Sequence, residues 1–202
     1  MQSVMSHNFS RVPQAEIQRS SFDRSHGYKT TLNSGYLVPV FLDEALPGDT
    51  FNLNMSVFAR LATPIKPIMD NLFLDSFFFA VPYRLVWNNF RKFMGEQDNP
   101  GDSTDFTTPV IDAATIAANS AVGSLWGNFG LPMKTGKASL DKVSALPFRM
   151  YNLIYNDWFR DQDLINSLTV SKGNGPDSLA DYAVKRVARF KDYINTARPA
   201  LS

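Results

Sequence analysis

The strongest hydrophobic pattern of the chain lies within residues 50–81. The stretch FNLNMSVFARL, residues 51–61, alternates apolar and polar side chains, and only Phe58 is out of phase. A period of two places the apolar side chains on one face of a β-strand. The stretch LFLDSFFFAV is apolar almost throughout, which is typical of a strand covered on both faces. We therefore expect two core strands of a sandwich, joined by an extended crossover through Pro64 and Pro67.

A further apolar run, residues 36–42, precedes this pair. Pro39 restricts it to an edge strand or a bulge, because proline has no N–H to donate to a ladder. Pro47 and Gly48 then predict a turn before residue 51. This order of strand, turn and strand is that of an antiparallel sheet.

Beyond residue 82 the apolar spacing changes to that of an amphipathic helix. Val86, Phe90, Phe93 and Met94 recur at helical spacing, which predicts a helix that ends at Gly95.

The clearest helix is predicted near residues 147–159. Pro147 suits a first turn, and aromatic residues follow at three- and four-residue spacing: Phe148, Tyr151, Tyr155, Trp158 and Phe159. The range 111–122 predicts a weaker helix, and Ser124 is expected to cap a short one. The range 178–197 fits either a helix or a loop that crosses the surface.

The composition is that of a globular protein, with 44% hydrophobic and 13% aromatic residues among 202. The formal net charge of +1 gives no global electrostatic argument for nucleic-acid binding. There is no cysteine, which excludes disulfides and cysteine-based sites. The chain also shows neither the apolar region of a signal peptide nor an apolar run of the roughly 20 residues that span a bilayer.

Catalytic chemistry finds little support in the sequence. Both histidines, His7 and His26, lie in the polar first 30 residues, which makes a Ser-His-Asp triad or a histidine metal site improbable. Asp157 and Asp161 could serve a carboxylate hydrolase only with another acid across a cleft, and a solvated helix end is the simpler interpretation. We expect no enzyme activity, no cofactor and no metal ligand.

Two basic stretches are candidate nucleic-acid contacts. The polar residues 1–30 form an expected arm, either solvated or strapped over the core, or else in contact with DNA. Near the other end, cations alternate with aromatic rings, as on surfaces that bind single strands, although a solvated basic face explains them as well. The candidates are Arg11, Arg19, Arg24, Lys29, Lys185, Arg186 and Arg189.

Two long blocks carry a family resemblance. The run FARLATPIKPIMDNLFLDSFFFAVPYRLVWNNFRKFMGEQDNPGD and the run LPFRMYNLIYNDWFRDQDL resemble, in this order, the major capsid protein of Microviridae phages of the gokushovirus type. The likeness extends from about Ser6 to about Pro199. It implies a structural virion protein, assembled in the bacterial cytoplasm as many copies in an icosahedral shell. It also implies packaged circular single-stranded DNA and a small basic DNA-binding protein as partners.

The resemblance and the strand pattern together predict a mainly β fold with helical insertions, α+β overall, as the N-terminal part of a viral jelly roll. Residues 1–30 would be the arm and residues 31–202 part of one jelly-roll domain. A jelly roll needs about eight strands and the pattern offers fewer, so we expect a truncated product whose isolated chain aggregates or stays partly disordered. Expected packing or interface anchors are Trp87, Phe90, Tyr151, Trp158 and Phe159. The alternative function is a jelly-roll carbohydrate-binding module.

Overall fold

The computed structural model describes residues 18–133 and 142–188. Its α-helices are α1 (Phe90–Phe93), α2 (Ala113–Asn119), α3 (Leu125–Asn128) and α4 (Leu146–Ile154). A π-helical turn, Tyr155–Phe159, continues α4, and 3-10 turns lie at Tyr83–Leu85 and Leu179–Asp181.

The expectation of a mainly β, jelly-roll fold is wrong for the part of the chain that the structure describes. No sheet forms there, and the β-pairing consists of isolated bridges: Tyr36 with Arg186, Val110 with Ser144, and Ile111 with Asp177. Residues 51–61 and 72–81 carry the strand pattern but adopt no regular secondary structure. A strand needs a neighbour to receive its backbone hydrogen bonds, and no described segment pairs with these two.

The core instead surrounds α4. The aromatic residues of α4 and of the π-helical turn follow the predicted helical spacing, and Phe148, Tyr151, Tyr155 and Phe159 are all buried. Phe148 and Tyr151 meet the apolar side chains of α2, α3 and the Leu179 turn, among them Ile116, Leu125, Trp126, Leu179 and Tyr182. Phe159 packs instead on Phe77 at 5.6 Å. The sequence prediction of this helix is confirmed, including the proline in its first turn.

The helix predicted to end at Gly95 is much shorter than its apolar spacing suggests. Only α1 is α-helical, and Gly95 follows it with φ +85°. Before α1 the helical hydrogen-bond pattern is interrupted, because the N–H of Asn88 donates to the carbonyl of the distant Lys172 at 3.0 Å. Val86 and Trp87 lie outside any α-helix and are buried nevertheless, and Trp87 packs on Phe93 at 5.5 Å.

The short helices are capped as their sequences require. Ser124 accepts a hydrogen bond from the N–H of Gly127 at 3.3 Å, as predicted, and Asp112 accepts one from Ala114 at 3.0 Å. The predicted turn at Gly48 is also present, with φ +88°. Within 178–188 only the 3-10 turn is helical, so of the two interpretations of this stretch the long helix is absent from that part, and residues 189–197 lie outside the described ranges.

Candidate functional site

Residues 19–30 form a strap that follows residues 41–48 in antiparallel order. The strap makes side-chain contacts at successive positions: Arg19 donates to the carbonyl of Gly48, Arg24 pairs with Asp43 at 2.8 Å, and His26 stacks on Phe41 at 5.9 Å. From Arg19 to His26 the residue numbers of the strap rise while those of its partners fall from Gly48 to Phe41, so the three contacts share one antiparallel register. The described part of the predicted arm, residues 18–30, is exposed throughout and lies along the chain through these side-chain contacts.

The far end of the strap is joined to α3. The hydroxyl of Tyr28 donates to the backbone carbonyl of Asn128 at 2.7 Å, and Thr30 contacts the Asn128 side chain at 3.5 Å. Asn128 is itself buried. The strap thus ties the core helices to residues 41–48.

The cations of the strap are engaged to different degrees. Arg24 keeps 67% of its side chain exposed while Asp43 is nearly covered, so the ion pair lies at the surface. Lys29 is exposed. Arg11 lies outside the described residues.

A second basic element joins residues 35–37 to residues 185–187. Leu37 donates to the carbonyl of Lys185 at 2.9 Å and Val187 donates to Gly35 at 2.8 Å. Tyr36 and Arg186 are thereby opposite each other as a non-hydrogen-bonded pair, in which side chains approach closely. The Arg186 guanidinium lies 5.6 Å from the centre of the Tyr36 ring, a cation–π contact at the surface.

The buried hydroxyl of Tyr151 supports this pairing from below. It donates to the carbonyl of Leu37 at 2.8 Å and accepts from the N–H of Lys185 at 2.9 Å. Burial raises the pKa of Tyr151 to about 12, against the opposing effect of the Lys185 hydrogen bond. Arg189 lies outside the described residues. The structure thus places Arg19 and Arg24 beside residues 43–48, and Arg186 beside Tyr36.

A polar network around Arg149 is buried and was not predicted from the sequence. Arg149 of α4 binds both carboxylate oxygens of Asp177, with Nε–Oδ2 at 2.6 Å and Nη2–Oδ1 at 2.7 Å. Its Nη1 donates to the carbonyls of Val86 at 3.0 Å and Gly173 at 2.8 Å. The hydroxyl of Tyr182 donates to Asp177 at 2.6 Å. In the sequence, the one indication of this network was Arg149, a single charged residue within the otherwise uncharged α4.

The pKa directions follow from this geometry. Burial alone would raise the pKa of Asp177, but the hydrogen bonds from Arg149 and Tyr182 outweigh burial and lower it. Burial and the neighbouring Asp177 carboxylate both raise the pKa of Tyr182. The network therefore holds an ionised pair that fixes residues 173–177 against α4.

Residues 51–81 present an exposed apolar surface. We use the term apolar surface for the exposed Phe51, Leu53, Met55, Val57, Phe58, Leu61, Ile65, Ile68, Met69, Leu72, Phe73, Leu74, Phe77 and Phe78. Exposure reaches 86% at Phe73 and 93% at Phe58. So many exposed apolar side chains in one segment are typical of a surface that associates with protein.

The chain matches a family model described as "Capsid protein (F protein)" over residues 10–202. The chain belongs to this capsid protein family. The predicted resemblance to Microviridae capsid proteins is confirmed.

Curated capsid relatives agree with the family match. The capsid protein VP1 of Bdellovibrio phage phiMH2K is 50% identical over 193 residues, covering 96% of this chain and 35% of that protein. The capsid protein VP1 of Chlamydia phage 1 is 43% identical, covering 98% of this chain and 36% of that protein. The capsid protein VP1 of Spiroplasma virus 4 is 31% identical, covering 96% of this chain and 36% of that protein. The chain thus spans about a third of the length of these relatives.

The predicted anchors of this capsid chain occupy different environments. Trp87, Tyr151 and Phe159 are buried, and Phe90 is half-buried against Tyr83. Trp158 is 40% exposed and packs on Phe79 at 5.5 Å. Any interface role for them remains a prediction.

The other functional classes gain no geometric support from the described residues of the capsid chain. Over 18–133 and 142–188, no three of the His, Asp and Glu side chains gather as a metal site would require. A carbohydrate-binding jelly roll would present its aromatic rings on a sheet, and these ranges contain no sheet. No described helix is both long enough and apolar enough to cross a membrane.

Proposed function

We propose that this chain is a part of a major capsid subunit that self-assembles into an icosahedral shell around circular single-stranded DNA. The observation that carries the proposal is the apolar surface of residues 51–81, in a chain that belongs to a capsid protein family. A subunit whose function resides in large interfaces needs such surfaces and needs no convergent polar pocket. The proposed location is the virion, with assembly in the host cytoplasm.

The basic residues supply the proposed contact with DNA. The cation–π pair of Arg186 and Tyr36 combines an exposed guanidinium with an aromatic ring, the two groups that proteins use to follow a phosphate backbone and to stack on bases. Lys29, Lys185 and the partly exposed Arg24 add positive charge. Arg11, Arg19 and Arg189 complete the proposed set, and a small basic DNA-binding protein is the proposed accessory partner.

The proposed domain division follows from the strap. Residues 1–30 would act as an arm whose second half is docked in cis, while the rest of the chain builds the body of the subunit. The ion pair of Arg24 with Asp43 lies at the surface, where such pairs contribute less than about 1 kcal/mol. Docking of the arm is reversible in this proposal, because its described residues are exposed throughout and bury little surface.

A chimeric capsid tests the proposed function. Residues 10–202 of this chain would replace the matching segment of the Bdellovibrio phage capsid protein VP1, and the product would be viewed by negative-stain microscopy. We expect uniform spherical shells. If the unmodified relative forms shells under the same conditions but the chimera yields only soluble species, the proposal fails.

DNA contact is tested separately on the same particles. Variants Arg186→Ala and Tyr36→Ala would be compared with Arg91→Ala, a matched cation whose side chain pairs with Glu96. We expect the first two to lower the packaged DNA per particle and the third to leave it unchanged. Equal DNA content in all of them would remove Arg186 and Tyr36 from the proposed interface.

A further inference from the structure

The loop of residues 172–177 contains an Asn-Gly sequence, Asn174–Gly175, that is held at both of its reacting groups. The side-chain oxygen Oδ1 of Asn174 accepts a hydrogen bond from Nε1 of Trp87 at 3.0 Å and another from Nδ2 of Asn89 at 2.9 Å. Trp87 is buried, so one of these donors is fixed by the core. Rotation of the Asn174 side chain requires both hydrogen bonds to break.

The backbone of Gly175 is equally restricted. Gly175 has φ +78°, and a Cβ at this position would lie 3.2 Å from the backbone nitrogen of Val110. Two residues further along, the N–H of Asp177 donates to the carbonyl of Val110 at 2.9 Å. This hydrogen bond holds the loop on the same segment. The backbone nitrogen of Gly175 therefore cannot rotate toward Cγ of Asn174 unless the loop separates from residues 109–110.

We propose that Asn174 is a site of spontaneous deamidation whose rate is set by the opening of this loop. In the reaction the backbone nitrogen of Gly175 attacks Cγ of Asn174 and forms a new N–Cγ bond. The Cγ–Nδ2 bond breaks, and Nδ2 leaves as ammonia with the proton of the peptide N–H. Water then opens the resulting succinimide at either carbonyl, which gives aspartate or isoaspartate. No oxidant, cofactor or enzyme is required.

Both reacting groups must leave their observed positions before the N–Cγ bond can form. The chemistry of an Asn-Gly pair is rapid in a flexible chain, because glycine offers no side chain to obstruct the attack. In the folded chain the contacts of Trp87, Asn89 and Val110 oppose it. Local opening of loops has its own equilibrium, separate from global unfolding. Deamidation thus records how often this loop opens.

The isoaspartate product would also prevent the loop from returning to its observed position. Isoaspartate adds one carbon to the backbone between residues 174 and 175. Gly173 accepts from Arg149 on one side of this point, and Asp177 pairs with Arg149 on the other. With a longer backbone between Gly173 and Asp177, the two residues cannot both keep their contacts with Arg149. A loop that carries isoaspartate therefore does not return to the observed conformation. The inference does not depend on the proposed assembly.

Mass spectrometry of the full chain tests the proposal. The protein would be incubated at mildly alkaline pH, natively and in urea, and the peptide containing Asn174 followed for a gain of about 1 Da, with isoaspartate measured by methyltransferase labelling. Asn33, which precedes Ser34 in an exposed turn, is the internal reference site. We expect Asn174 to react at least about tenfold more slowly in the native chain than in urea, given its anchoring.

The variant Asn89→Ala removes one anchor at a half-buried position, and Trp87→Phe removes the other while keeping a ring. Each is expected to raise the native rate at Asn174 about fivefold, since one net hydrogen bond is lost, and to leave the rate in urea and the rate at Asn33 unchanged. Asn88→Ala, the exposed neighbour, is the control. Equal rates in native buffer and urea would overturn the proposal, as would native rates that neither anchor variant raises.

Discussion

Arg149 and Asp177 form a bidentate ion pair whose side chains are 0% and 6% exposed, in an interior that consists mainly of aromatic and aliphatic groups. The pair connects α4 to the loop before the Leu179 turn. Every described polar atom of the Arg149 guanidinium finds an acceptor, in Asp177, Val86 or Gly173. Such satisfaction is what a buried charge requires.

Removal of one partner should be costly. In Arg149→Met the Asp177 carboxylate is left buried without its counter-ion, and we expect a loss of about 3–5 kcal/mol in the free energy of unfolding. Urea denaturation followed by tryptophan fluorescence measures it. The double variant Arg149→Met with Asp177→Asn should be more stable than Arg149→Met alone, because the stranded charge is gone. Simple additivity of the two substitutions would contradict this explanation.

The same pair predicts an acid limit to stability. The folded-state pKa of Asp177 is lowered, so its contribution is fully present above the ordinary aspartate pKa of about 4 and is lost as pH falls through the lower folded value. Thermal melting between about pH 5 and pH 2 should show a progressive fall in Tm. In Asp177→Asn the part of this fall that Asp177 causes should disappear. An unchanged acid profile in the variant would assign the acid sensitivity to other carboxylates.

The strap should be released by the loss of its surface ion pair. Asp43→Asn weakens the contact with Arg24, so trypsin should cleave after Arg19 and Arg24 faster than in the parent chain. Raised salt should accelerate cleavage of the parent for the same reason, because exposed ion pairs are screened. Glu96→Gln, which alters the exposed pair with Arg91, is the matched control and should leave cleavage in the strap unchanged. Equal cleavage rates in all three chains would show that the pair does not hold the strap.

The apolar surface should matter for assembly and little for the fold of the chain. Phe73 is 86% exposed, so Phe73→Ser should change the free energy of unfolding by no more than about 0.5 kcal/mol. The buried Phe148 provides the contrast, since Phe148→Ala should cost about 3–5 kcal/mol. In the chimeric capsid, Phe73→Ser should reduce the yield of shells. A normal yield with this variant would place Phe73 outside the interfaces.

The local parts of the fold were readable from the sequence. The spacing of the aromatic residues predicted α4 and its π-helical continuation, because a helix satisfies its backbone within the segment and needs only one apolar stripe to be covered. Of the predicted aromatic residues all are buried except Trp158, which is 40% exposed. Ser124 was likewise correctly predicted as the N-cap of α3. These features depend on residues a few positions apart.

The distant relationships were not readable in the same way. Residues 51–61 have the alternation of a strand, yet strand formation depends on a partner that the described residues do not supply. Arg149 and Asp177 are 28 positions apart, and no periodic pattern joins them. The strap register, from Arg19 to Gly48 across 29 positions, is of the same kind. The family resemblance identified the chain, but it overstated how much β-structure this part would show.

Amide hydrogen exchange tests the central claim most directly, by comparing residues 51–81 in the free chain and in assembled shells of the chimeric capsid. We predict rapid exchange across 51–61 and 72–81 in the free chain, and strong protection of the same amides in the shell, while α4 is protected in both. If shells form and these amides exchange equally fast in the two states, the apolar surface is not covered on assembly and the account is wrong.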